Sequence, residues 1–181
     1  MQLHMYDFDG TLFKSPDAPD GESVGRWLTN KKSLGPPCVP EVPPDDWWNL
    51  DVVNLATASI ENPNAIAIVI TGRDESVHQK RVSDLLKTRG LFFEAVHLNP
   101  GYYTEEFKIT KLLEYLERHS EIDSVHIWED NEDHLVKFCE EMVGAGVSCN
   151  GHLISMERKE CAGGDAPVEI RIVQRFIQLG E

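Results

Sequence analysis

Asp7 and Asp9 stand two residues apart in a stretch, His4-Met5-Tyr6-Asp7-Phe8-Asp9-Gly10-Thr11-Leu12-Phe13, that otherwise reads as a buried strand. On a strand that spacing sends both carboxylates to the same side. Two carboxylates that close repel each other unless one keeps a proton or a cation sits between them. The chemistry open to them is a metal site, an acid/base pair, or both. Leu3, Met5, Tyr6 and Phe8 supply strand-forming bulk, and Gly10 ends the run where a parallel strand hands over to a loop.

Two further clusters lie at the ends of apolar runs. Ala65-Ile66-Ala67-Ile68-Val69-Ile70 suits a central parallel strand and leads into Thr71-Gly72-Arg73. A hydroxyl and free backbone amides just beyond a strand make a phosphate cradle, although the same residues also suit an ordinary helix start. Ser124 to Trp128 reads as another strand and runs into Glu129-Asp130-Asn131-Glu132-Asp133-His134. An acidic first helix turn accounts for Glu132 and Asp133. It does not account for Glu129 and Asp130, which leave an apolar strand directly. Asp7, Thr71 and Asp130 therefore all fall at strand carboxyl ends, which is where open parallel sheets bind ligands.

The apolar strand followed by Asp-Phe-Asp-Gly-Thr-Leu resembles the first motif of the haloacid dehalogenase (HAD) superfamily of phosphotransferases. The resemblance implies that Asp7 is the nucleophile and Asp9 the general acid/base, with Gly10 and Thr11 against the substrate. It assigns Thr71 to the transferring phosphate. Thr71-Gly72-Arg73 is similar to the Ser-Gly-Arg of the phosphatase module in phage-type polynucleotide kinase-phosphatases, so Gly72 and Arg73 join the substrate-binding set. Arginine is the side chain best shaped to fork onto phosphate oxygens. The third-motif lysine is expected near the start of a helix, which gives Lys108, with Lys111 as the fallback; its role is to neutralise nucleophile and phosphate. Trp-Glu-Asp-x-x-Asp-His resembles the fourth motif of the Swiss-Army-Knife, RNA-repair-like branch. Asp130 is then the metal ligand, with Glu129 its neighbour and Asp133 a substitute, while His134 orients the loop or is a plain hydrogen-bonded histidine. Glu129 replaces the superfamily's usual Asp, and Asn131 stands where that branch has Arg. The implied cofactor is Mg²⁺, held by Asp7, Asp130 and the backbone carbonyl of Asp9.

These residues need a frame. Strands alternating with helices predict an α/β, three-layer Rossmann-like parallel sheet with helices on both faces, and the resemblance implies that it forms one HAD-like domain over residues 1–181. Residues 14–50 are irregular and rich in Pro, Gly and Asp, and fall where such enzymes carry a small cap. They contain Trp27, Trp47 and Trp48 beside Arg26, Lys31 and Lys32. Those tryptophans either pin the insert to the body or stack on a nucleotide. Helices are expected over 50–61, 74–89 and after Thr104 as its N-cap, with further strands at Phe92–Leu98 and within Val147–Met156. Val168, Ile172, Val173, Phe176, Ile177 and Leu179 recur at helical spacing, so the chain is expected to close with a helix.

Composition narrows the partners. Seventeen basic against 31 acidic side chains give a net charge of −14, which opposes non-specific grip on nucleic acid. The start of the chain lacks a signal-peptide pattern and no apolar run is long enough to span a bilayer, so a cytoplasmic or nuclear setting and no membrane partner are expected. Cys38, Cys139, Cys149 and Cys161 show no zinc spacing and read as reduced, structural thiols. The expected activity is release of a terminal phosphate from an RNA or DNA end. The alternatives are a small-molecule phosphatase and a non-catalytic scaffold that keeps the fold.

Overall fold

The computed structural model describes residues 1–156, Lys159 and Cys161, together with the backbone course of Val173–Leu179. Its centre is a six-stranded sheet in the order β3-β2-β1-β4-β5-β6. Strand β1 (Gln2–Tyr6) lies between β2 (Ala65–Asp74) and β4 (Ser124–Glu129), parallel to both; β3 (Ala95–Asn99) and β5 (Ser148–Ser155) continue the parallel set outward. Placing β1 in the middle puts the Asp7 turn between the carboxyl ends of its two neighbours. The backbone N–H of Asp7 continues the ladder, donating to the Trp128 carbonyl at 2.9 Å.

The strand sequences explain the layering. Along β1, Leu3 and Met5 point one way and Tyr6 the other; along β2, Ile68 and Ile70 oppose Val69. One face packs Leu3, Met5, Ile68, Ile70, Val125 and Ile127 under α4 (Thr104–Arg118) and α5 (Glu132–Gly144). The other packs Tyr6, Val69 and Trp128 under α2 (Leu50–Glu61), α3 (Glu75–Thr88) and the insert. Both faces are covered, as a parallel sheet requires. The α/β three-layer expectation is met.

Three local expectations are corrected. Val173–Leu179 is not a helix but strand β6, antiparallel to β5 and closing its edge; Val168 and Ile172 lie outside the described residues. Apolar spacing over seven residues fits either element, and an open strand edge decides in favour of pairing. Second, Cys38 and Cys161 form a disulfide between the insert and the segment after β5, so only Cys139 and Cys149 are free thiols, both buried. A bridge joining residues so far apart leaves no sequence spacing to read. Third, Thr104 is the first helical residue of α4 and Tyr103 is its N-cap, without a side-chain cap.

The insert is folded onto the body. It holds a short helix α1 (Val24–Leu28) and two 3₁₀ turns, and Trp27, Trp47 and Trp48 are all buried. Trp27 Nε1 donates to the Pro16 carbonyl at 2.9 Å, and Trp48 packs edge-on against Phe13. Arginines of α3 and its end complete the attachment. Arg81 donates to the carbonyls of Leu34, Glu41 and Pro40 at 2.9, 2.9 and 2.7 Å; Arg89 pairs with Asp45 at 2.6 Å and lies over the Trp48 ring. Of the two readings open for the tryptophans, the geometry is that of pins.

A row of rings crosses β1, β4 and β5 on the α2 side. Tyr6 stacks on Trp128 at 4.3 Å and Trp128 on His152 at 4.5 Å, with His126 and His4 alongside. His4 Nδ1 and Tyr6 Oη both meet Ser59 Oγ of α2 at 2.7 Å.

Candidate active site

The turn after β1 is fixed by its backbone. Phe13 N–H donates to Phe8 O and Gly10 N–H to Phe13 O, each at 2.9 Å, while Gly10 takes φ +75°, a conformation that favours glycine. This closes the loop tightly and directs Asp7 and Asp9 into the space beyond the sheet. Both carboxylates are buried, as are Thr11 and Thr71. Thr11 Oγ1 has no hydrogen-bond partner among the described residues.

The two aspartates have different partners. Asp7 Oδ1 accepts from Lys108 Nζ at 2.6 Å, and the same ammonium donates to Glu129 Oε2 at 2.7 Å. Lys108 sits one turn inside α4 and is 2% exposed. Lys111 points elsewhere and pairs with Glu114 at 2.8 Å. Asp9 instead faces Arg73, whose Nε lies 2.9 Å from both carboxylate oxygens and whose Nη2 lies 2.6 Å from Oδ1. Ser15 Oγ also donates to Asp9, and Thr71 Oγ1 reaches its Oδ2 at 3.3 Å. Arg73 is fully buried and its remaining Nη1 donates to Ser33 Oγ at 2.6 Å. Its fork is therefore directed at Asp9, where a phosphate was the expected partner.

β2 makes this possible by an irregularity. Its pairing with β3 shifts between Thr71 and Asp74, so the end of the strand bends and aims Arg73 back at Asp9. Gly72 is needed for packing: a Cβ there would stand 2.8 Å from Thr104 Cγ2. Gly72 and the start of α4 are thus in direct contact.

Carboxylate oxygens of Asp7, Glu129 and Asp130 lie within 4.8 Å of one another. Burial raises the Asp7 pKa well above the usual carboxylate range; Lys108 opposes that, and the charges of Glu129, Asp130 and Asp9 reinforce it. Burial likewise raises Glu129, against Lys108 and with Asp130. Burial alone would lower the Lys108 ammonium, but Asp7 and Glu129 outweigh it and hold its pKa above the ordinary lysine value. Three carboxylates around one ammonium leave an excess of negative charge. A hard, oxygen-preferring divalent ion fits both that charge and the all-oxygen donor set.

The remaining residues of the fourth cluster do structural work. Asn131 caps α5, accepting from His134 N–H at 3.1 Å, and its own N–H reaches Glu129 Oε1 at 3.3 Å. Asp133 is exposed, and the His134 ring packs against Phe138. Sequence reasoning missed Ser15, Ser33 and His78. The serines lie in an irregular insert with no motif around them. His78, on α3, is buried beside Arg73 and has its pKa lowered to about 4 by burial first and by Arg73 second. Its place on the buried stripe of α3 was the only available sign.

The fold is HAD-like. It matches the HAD domain of the effector Lem4 from Legionella pneumophila at a TM-score of 0.54 and 14% identity, covering 90% of this chain and 88% of that one. A chain in the Pnkp1/Rnl/Hen1 RNA repair complex matches with the same TM-score and identity over 82% of this chain and 41% of its own length. At the level of sequence, the chain belongs to HAD domain family 1 in Swiss Army Knife RNA repair proteins, whose profile matches residues 8–179. An uncharacterized Saccharomyces cerevisiae protein, YMR265C, is 28% identical over 71% of this chain; the chain spans about a third of that relative, 34% of its length.

Proposed function

We propose that this protein is a Mg²⁺-dependent phosphomonoesterase that works through an aspartyl-phosphate on Asp7 and acts on a terminal phosphate of a nucleic acid or nucleotide. The observation that carries this reading is the division of labour between the two aspartates. Asp7 faces a lysine and two more acids; Asp9, two residues on, is clamped separately by Arg73. A nucleophile and a proton carrier need such separate environments.

In the first step an Asp7 carboxylate oxygen bonds to phosphorus as the bond from phosphorus to the leaving alcohol breaks, and Asp9 gives its proton to that oxygen. In the second, Asp9 takes a proton from a water that attacks phosphorus. Inorganic phosphate leaves and the Asp7 carboxylate is restored. Lys108 offsets charge on Asp7 and on the incoming phosphate, and the Thr71 hydroxyl and the backbone amides after it hold the phosphate oxygens. Arg73 fixes the plane of the Asp9 carboxyl. Asp7, Asp130 and the backbone carbonyl of Asp9, with Glu129 adjacent, would hold Mg²⁺, which supplies positive charge to the non-bridging oxygens. Membership in a family of RNA repair proteins, and likeness to a chain of an RNA repair complex, support the nucleic-acid end as substrate class.

The test is phosphate release from oligonucleotides bearing 3′-, 5′- or 2′-phosphates, beside mononucleotides and sugar phosphates, with Mg²⁺ and with chelator. Asp7→Asn should abolish release and remain folded. An Asp7→Asn protein that still turns over, or a wild type that releases no phosphate from any of these, would refute the proposal.

A further inference from the structure

Tyr102 and Tyr103 are the two most exposed aromatic side chains among the described residues, at 70% and 81%. They stand between β3 and α4, on the carboxyl rim of the sheet that carries Asp7 and Thr71. The backbone that presents them is tied down. Asn99 Oδ1 accepts from Gly101 N–H at 2.9 Å and Tyr102 N–H at 2.8 Å, and Asn99 Nδ2 donates to the Tyr102 carbonyl at 2.7 Å. The Tyr103 carbonyl accepts from Phe107 N–H at 2.9 Å. The next residue, Thr104, is the one that touches Gly72. Two large rings are thus held in solvent at the border of the phosphate cradle, one turn of helix before Lys108.

The charge around them defines what they can receive. Glu105 and Glu106 fill the first turn of α4 and Glu132 and Asp133 that of α5, while Lys137 is already paired with Glu105. A phosphodiester strand is repelled by such a rim, whereas an uncharged ring is not. Stacking on an aromatic side chain is open to every base, since each has a π-face.

We propose that Tyr102 and Tyr103 form a stacking platform for the base of the terminal nucleoside, so that the substrate is a nucleoside phosphate or a short phosphate-ended oligonucleotide, gripped at its last base and not along its backbone. This rests on the phosphomonoesterase reading above. The buried tryptophans of the insert are unavailable for that role, which leaves recognition of the leaving group to the β3–α4 loop.

The test compares a nucleoside 3′-phosphate with ribose phosphate as substrates of the full chain, wild type against Tyr102→Ala, Tyr103→Ala and the double variant. The expected result is a fall of about tenfold in kcat/KM for the nucleoside phosphate relative to ribose phosphate, carried by KM. Phenylalanine at both positions restores it. Lengthening the substrate to ten nucleotides should leave KM within about twofold, because the acidic first turns of α4 and α5 oppose a grip on the backbone beside the rings. An unchanged ratio in the double variant, or affinity that climbs with length and collapses with salt, overturns the platform while leaving the esterase standing. Should no phosphate ester be turned over, equilibrium binding of the nucleoside phosphate decides: binding lost in the double variant upholds the platform, and binding that is equal or absent overturns it.

Discussion

Arg73 Nε stands 2.9 Å from both carboxylate oxygens of Asp9, and the same guanidinium reaches out to Ser33 Oγ at 2.6 Å. The insert thus reaches the proposed proton carrier twice, directly through Ser15 Oγ and, by way of Arg73, through Ser33. Lysine offers a point charge without a fork, so Arg73→Lys should lower kcat by about 100-fold with little change in KM. Ser33→Ala should lower it by about three- to tenfold, since it frees one nitrogen of a buried guanidinium. Steady-state kinetics on any accepted phosphate ester checks both, and an Arg73→Lys protein at wild-type kcat would remove Arg73 from the mechanism.

Lys108 is the sole ammonium against Asp7 and Glu129 among the described contacts of either carboxylate. Lys108→Met should cost about 3 kcal/mol in urea unfolding at pH 7, because two buried carboxylates lose their partner. Both carboxyls are already held above their usual range, so the folded state takes up protons before the unfolded one as pH falls. The deficit of the variant against wild type should therefore shrink between pH 7 and pH 5. A deficit that grows on acidification would contradict the charge assignment.

Metal binding can be read without turnover. A cation that binds only the folded chain raises its stability by about 2.7 kcal/mol at a hundredfold excess over Kd, which is several degrees in Tm for a chain of this size. Millimolar Mg²⁺ should raise Tm in wild type and not in Asp130→Asn. The same shift in both proteins would place the ion elsewhere.

The ring row across β1, β4 and β5 carries its own pH signature. Burial first, and neighbouring histidines second, lower His4 and His152 to about 4. The unfolded chain protonates them near 6.5, so their share of stability is whole above that value and is lost as pH falls from about 6.5 to about 4. Denaturant midpoints should drop over this range, and the drop should be smaller in His152→Gln. An identical drop in that variant would show that the stack does not sense protons.

Much of this was readable in the chain. Alternating apolar strands and amphipathic helices predict the parallel sheet, and acids leaving apolar strands predict where its chemistry gathers, because burying charge demands a reason. Asp7, Glu129 and Asp130 meet, although more than a hundred residues separate the first from the others. What stayed illegible depends on pairing over distance. Nothing local marks Ser33 as the neighbour of Arg73, or Cys38 as the partner of Cys161. A motif names a residue type and not the group it will meet, so Arg73 reads as a phosphate fork until the bend in β2 turns it onto Asp9. The seven residues of β6 carry helical spacing, and only the free edge of β5 makes them a strand.

Arg81 donates to three main-chain oxygens of the insert, with the Glu41 carboxylate farther off at 3.8 Å. Main-chain oxygens cannot be exchanged by substitution, so this grip tolerates sequence drift across residues 34–41 provided the path of the chain is kept. The outward-facing side chains of that stretch are thereby free to diverge while the insert keeps its seat over the proposed catalytic floor.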